Sequence, residues 1–98
     1  MNRLVIFMPA ARVEVIEAQD WYEVKADGLG AAFRHELERV VERLVENPMH
    51  FPIMVRDVRR ARLLRFPYAL YFRSTSDGVV VLACFHSRRD PQSLQARN

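Results

Sequence analysis

The sequence has few of the features that hold a small protein together covalently or through a metal. It contains one cysteine, Cys84, so no internal disulfide can form, and it has no Cys/His cluster at zinc-ligand spacing. Three glycines in 98 residues exclude a collagen-like or low-complexity chain. Gly-rich phosphate loops and serine-hydrolase elbows are absent as well. The opening apolar run, residues 4–8, stops at Pro9, too short for a signal-peptide core or a membrane span, so a cytoplasmic location and no membrane partner are expected. No cofactor and no metal are expected either. What is present must fold by packing alone: half the residues are hydrophobic, too many for a disordered chain, and the length is that of one small domain, residues 1–98. That length excludes two-domain enzymes and large cofactor folds.

Charge is unevenly spread. Residues 1–55 carry six basic and nine acidic side chains, whereas residues 56–98 carry nine arginines against Asp57, Asp77 and Asp90, a local balance of +6. Every cation but Lys25 is an arginine, whose planar fork pairs bidentately with carboxylate or phosphate. The basic half therefore calls for an anionic partner, either nucleic acid or an acidic peptide.

Periodicity places the elements. Residues 4–8 read as a short buried strand, and Pro9 suits the first turn of a helix. Ala11, Val15, Ala18 and Tyr22 then line one helical face as far as Lys25, while a second stripe, Val13, Ile16 and Val24, lies roughly opposite and needs cover of its own. Gly28 is expected as a left-handed cap of this helix and Asp27 as the N-cap of the next. The second helix has Phe33, Leu37, Val40, Val41 and Leu44 on its inner side and ends at Asn47-Pro48. Period two follows over residues 58–65, an aromatic-rich strand over 68–73, a hairpin turn at Ser76-Asp77-Gly78, and a strand apolar on both faces over 79–85. The polar tail from about residue 90 is expected to be flexible. The order β-α-α-β-β-β predicts an α+β fold, an N-terminal strand and an antiparallel helical hairpin packed on one face of a small antiparallel sheet.

Three constellations could carry chemistry. Arg56, Arg59, Arg60, Arg62 and Arg65, with Arg73, Arg88 and Arg89, would share a sheet if the last three strands are neighbours, forming either a basic binding surface or a charged guard on a sheet edge. His86 beside Arg88 and Arg89 has the makings of an acid/base in phosphodiester cleavage, although a strand-end histidine bonded to backbone is the plainer reading. Cys84 reads as a small buried hydrophobe rather than a nucleophile paired with His86, and Trp21 and Tyr22 as a helix-to-sheet anchor.

Six segments in order resemble one family: Ala18-Gln19-Asp20-Trp21-Tyr22-Glu23, Gly28-Leu29-Gly30-Ala31-Ala32-Phe33, Asn47-Pro48 with Phe51-Pro52, Arg59-Arg60-Ala61, residues 65–73, and His86-Ser87-Arg88-Arg89-Asp90-Pro91. Together they resemble the RelE/ParE superfamily of toxins from bacterial type II toxin–antitoxin systems, and most of all its ParE branch. The resemblance implies the helical-hairpin-on-sheet fold already read from the pattern. It also implies a cognate antitoxin whose acidic C-terminal segment wraps the toxin, with Arg59, Arg62, Arg65, Arg73 and the first helix as contacts, and His86, Arg88 and Arg89 as further antitoxin or target contacts. RelE-like members cut mRNA on the ribosome and tend to carry a catalytic Tyr, His or Lys near the C-terminus. Here the tyrosines stand at 22, 68 and 71, so a ribonuclease would have to rely on Arg65, His86 and Arg89. ParE-like members bind DNA gyrase and need no catalytic group. The resemblance therefore points to a gyrase-directed, non-enzymatic toxin that meets nucleic acid only indirectly, with a ribosome-dependent endoribonuclease as the alternative.

Overall fold

The computed structural model describes residues 3–97. Strand β1 (Leu4–Phe7) leads into helices α1 (Pro9–Lys25) and α2 (Leu29–Glu46), and a 3-10 turn (Pro48–His50) connects these to β2 (Ile53–Val55), β3 (Val58–Arg62), β4 (Tyr68–Ser74) and β5 (Gly78–His86). A second 3-10 segment, Pro91–Arg97, ends the described chain. The α+β class and the helical hairpin on one sheet face are as the pattern predicts. The sheet differs in two respects. Its order is β1-β5-β4-β3-β2, with β1 parallel to β5, so it is mixed, and β2 adds a strand that three residues behind Pro52 do not announce. Parallel neighbours need a long crossover, and everything between β1 and β5 supplies it.

Both helical stripes face the sheet as their spacing dictates. Ala11, Val15, Ala18 and Tyr22 of α1 and Phe33, Leu37, Val40 and Leu44 of α2 are buried against Ala61, Leu70, Phe72, Val79, Val81 and Cys84. Tyr22 stacks on Phe33 at 5.4 Å and meets Phe66 edge-on at 4.8 Å. Gly28 is left-handed, as expected, but it is the N-cap of α2, and Ala26 caps α1. Asp27 makes no capping bond. Glu23 does that work from the preceding helix, its carboxylate accepting the Gly28 and Gly30 N–H groups at 2.9 and 3.0 Å.

Strand β3 stops at Arg62, three residues before the alternation does. Leu63 and Phe66 both turn inward, so residues 63–67 form a loop, closed by Leu63 N–H on the Tyr68 carbonyl at 2.9 Å. The loop is fastened to α2 by Glu36, whose carboxylate accepts the N–H groups of Leu64 and Arg65 and the Arg65 guanidinium at 3.3 Å. Burial pushes the Glu36 carboxyl upward, but these donors together outweigh it and hold its pKa below the ordinary 4.5.

The sheet's other face has its own core: Val58, Ala69, Tyr71, Leu82, Ala83 and Phe85, with Leu94 fully buried on top of them. Tyr71 pairs with Ala83 and Phe72 with Val81, so Leu82 is an extra residue in β5, and this bulge turns both Leu82 and Ala83 to the same face. The tail from about residue 90, expected to be flexible, lies across this face with Leu94 buried against it. Its polar composition gave no sign of the Leu94 contact.

Gly78 pairs with Leu4, and a Cβ there would collide with the Leu4 backbone. Gly78→Ala must push β1 off β5 and is expected to cost about 2–3 kcal/mol, seen as a lower urea midpoint. Glu36→Gln leaves the Leu64 and Arg65 donors poorly matched and should cost about 2 kcal/mol at neutral pH. Because the folded pKa of Glu36 is depressed, its stabilisation is complete above 4.5 and is lost as pH falls through the folded value. The stability gap between wild type and Glu36→Gln should therefore close in acid, which unfolding curves at a series of pH values will show.

Candidate functional site

Strands β3, β4 and β5 are neighbours, as the basic-sheet reading required, yet the arginines they carry do not form one patch. Strand alternation splits them between two faces, and several are already engaged. Arg59, opposite Phe72 on the helix side, donates to the Phe51 carbonyl at 2.6 Å and ties the 3-10 turn to β3. Arg65 is held by Glu36. Arg73 pairs with Asp57 of the β2–β3 hairpin at 3.2 Å. Arg89 lies 4.1 Å over the Phe85 ring and reaches Glu14 at 3.4 Å. Arg60 and Arg62 point to the face away from the helices, opposite Tyr71 and Ala69, and Arg88 is exposed beyond β5.

His86 and Arg89 come together in a groove of about 630 Å³ between α1 and the ends of β4 and β5, walled by Glu14, Glu17, Trp21 and Tyr68. Arg65 is not there. It lies on the far side of the 63–67 loop and lines other cavities, so the three residues a ribonuclease would use are divided. His86 Nδ1 accepts the Arg88 N–H at 3.1 Å, so a neutral ring carries its proton on Nε2 and has no lone pair to offer the groove. The Cys84 thiol is pushed up to about 12 by burial and, secondarily, by the charge of Glu14. Burial also raises the Tyr68 and Tyr22 phenols.

Glu14 was not among the sequence candidates, yet it organises this end of the molecule. It accepts the Cys84 N–H at 3.0 Å and a forked pair from Arg97, Nη1 at 3.0 Å and Nη2 at 2.6 Å, besides Arg89. Arg97 also donates to the Leu82 carbonyl at 3.0 Å, and the Glu14 bond raises its pKa further. The available signal was positional: Glu14 sits three residues after Ala11 and four before Ala18, on the flank of the buried stripe.

A second surface lies on the same side of the sheet, beside β1. The second stripe of α1 is exposed, Val13 by 53% and Ile16 by 48%; on β1, Leu4 and Ile6 are exposed by 58% and 52% but turn to the sheet face opposite Phe7, away from the helices. A small cleft beside the α1 stripe is lined by Phe7, Val15, Ile16 and Leu37 and flanked by Arg12 and Arg34. Among the described residues there is no group of three His, Cys, Asp or Glu side chains that could hold a metal, and no helix long and apolar enough to cross a membrane.

Comparison with known proteins fits this architecture. A solved structure described as the chromosomal ParDE TA system from P. aeruginosa superposes with a TM-score of 0.70, at 20% identity, over 86% of this chain and 95% of that one. At that identity the match concerns the fold. No curated protein sequence matches. The family model for the ParE toxin of the type II toxin–antitoxin system parDE matches residues 5–91, from β1 through the whole sheet to the start of the docked tail. The chain thus belongs to the ParE toxin family of type II toxin–antitoxin systems.

Proposed function

We propose that this toxin arrests growth by binding DNA gyrase in the cytoplasm and that a cognate antitoxin neutralises it through an acidic C-terminal segment. The observation that carries the non-enzymatic half of this reading is the commitment of the ionisable groups beside His86. The His86 Nδ1 lone pair, the Glu14 carboxylate and the Cys84 thiol are each occupied or protonated, which leaves Glu17 at the groove's rim as its other carboxylate. Inhibition by occupying a surface needs none of them. The antitoxin half is supported by the exposed apolar stripe on α1 and the cleft it forms with Phe7, flanked by Arg12 and Arg34, a shape and charge that suit an amphipathic acidic segment. This moves the expected antitoxin contacts from the sheet arginines toward the helical edge.

Purified toxin should block supercoiling by purified gyrase, and added antitoxin should restore it. Full supercoiling at excess toxin, or cleaved messages after induction, would overturn the target assignment in favour of the ribonuclease reading. Ile16→Asp, on the exposed stripe, should change stability by less than about 1 kcal/mol. It should nevertheless weaken antitoxin binding by roughly tenfold or more, measurable by calorimetry.

A further inference from the structure

We propose that the sheet face turned away from the helices carries a binding site for the phosphate backbone of nucleic acid, centred on Arg60 and Arg62. This goes beyond the reading above, in which nucleic acid enters only through the target or the antitoxin. Ala61 faces the main core, so alternation sends its two neighbours to the opposite face, where they stand about 6.6–6.8 Å apart along β3. Their cross-strand partners are Tyr71 and Ala69, and the small Ala69 leaves an open groove of about 410 Å³. Arg60, Arg62, Arg65 and the Ser87 residue line that groove, and no carboxylate does.

Five other arginines of residues 56–98 contrast with this pair, whereas Arg56 and Arg88 share its lack of an identified side-chain partner but do not line the groove. Arg59, Arg65, Arg73, Arg89 and Arg97 each have an identified carbonyl or carboxylate partner within the fold. Among the described residues, no ion pair or side-chain hydrogen bond engages Arg60 or Arg62. Two guanidinium groups without a partner on one flank cost stability through mutual repulsion, and an anion that bridges them removes that cost.

Phosphate suits the face better than an acidic peptide does. Peptide segments draw most of their affinity from apolar anchors, and most of the exposed ones lie away from Arg60 and Arg62: Leu4 and Ile6 on β1 at the far edge of the sheet, Val13, Ile16, Trp21 and Val24 on α1, Met49 in the 3-10 turn, and Ile53 of β2 opposite Arg59. Near Arg62 the exposed apolar contribution is Leu64. A phosphodiester backbone requires only spaced cations and hydrogen-bond donors. With no helix to enter a groove and the exposed aromatic Trp21 on α1 rather than on this face, binding should be indifferent to sequence.

The test is fluorescence anisotropy of the full-length toxin with a labelled mixed-sequence duplex of about 20 base pairs, titrated between about 50 and 200 mM salt. The double variant Arg60→Gln/Arg62→Gln should lose about tenfold to a hundredfold in affinity at the low-salt end. Its log–log salt dependence should be shallower by about 1.8, the release expected for two phosphates. Arg39→Gln/Arg43→Gln removes the same charge from the exposed side of α2 and should change affinity by less than about threefold. Circular dichroism melts of both variants check that they remain folded. Equal losses in the two double variants would reduce the effect to net charge and overturn the proposal. So would tighter, Arg60- and Arg62-dependent binding of a glutamate-rich peptide of the same charge as the duplex, which would make the face a peptide site. Since no gyrase or antitoxin is present, a negative result leaves the supercoiling assay to stand or fall independently.

Discussion

The outer edge of β5 is the constraint on which the rest of the structure turns. Strand β5 has nine residues, but its parallel partner β1 has four, because Pro9 ends the strand and opens α1. Pairing along that edge finishes with Met8 N–H on the Val81 carbonyl at 2.9 Å, and from Leu82 onward the edge has no strand beside it. An unmatched edge group in a half-buried site costs roughly 1–3 kcal/mol and invites another strand. Glu14 and Arg97 take the missing strand's place, one accepting from the Cys84 N–H and the other donating to the Leu82 carbonyl. Their mutual ion pair holds both in position, with Glu14 14% and Arg97 21% exposed.

Several properties follow from that substitution. Helix α1 must pack with Glu14 at the sheet edge, which fixes its rotation and thereby leaves Val13 and Ile16 outward. The C-terminal segment crosses the helix-free face, anchored by Leu94, so that Arg97 can reach around β5 to the helix side. Glu14, which lines the groove with His86, is also engaged in the process, and its charge helps keep Cys84 a thiol. A device that completes the sheet thus engages a carboxylate that would otherwise be open to the groove.

Legibility in the sequence tracks the range of the interaction. The helix stripes were readable because burial repeats every three or four residues, and Ala11, Val15, Ala18, Tyr22, Phe33, Leu37, Val40 and Leu44 all lie where the period puts them. The turn at Asp77-Gly78 was also readable, although Gly78 is required less for the turn than for the approach of Leu4, a contact no local rule encodes. Alternation could not give the direction of β1, since strand polarity depends on the path of the intervening seventy residues. Nor could it show that Arg65 is spoken for by Glu36 or Arg97 by Glu14, because pairs separated by 29 and 83 residues leave no periodic trace.

Those long-range pairs change what the charge distribution means. The acidic first half and the basic second half suggested an unsatisfied surface awaiting an external anion. In the folded chain the two halves neutralise each other in part: Glu36 and Glu14 come from the acidic half, and Arg65, Arg89 and Arg97 from the basic one. Arginine suits these positions better than lysine would. Its fork can hold a carboxylate and a carbonyl at once, as Arg97 does, or lie over an aromatic ring while reaching an acid, as Arg89 does over Phe85. Arg60 and Arg62 escape this internal neutralisation because the alternation of β3 turns them to the face opposite both helices, and with them the acidic side chains those helices carry. The net charge of +3 is unchanged by this pairing, but fewer of the arginines in the basic half are open to an external anion than the composition implies.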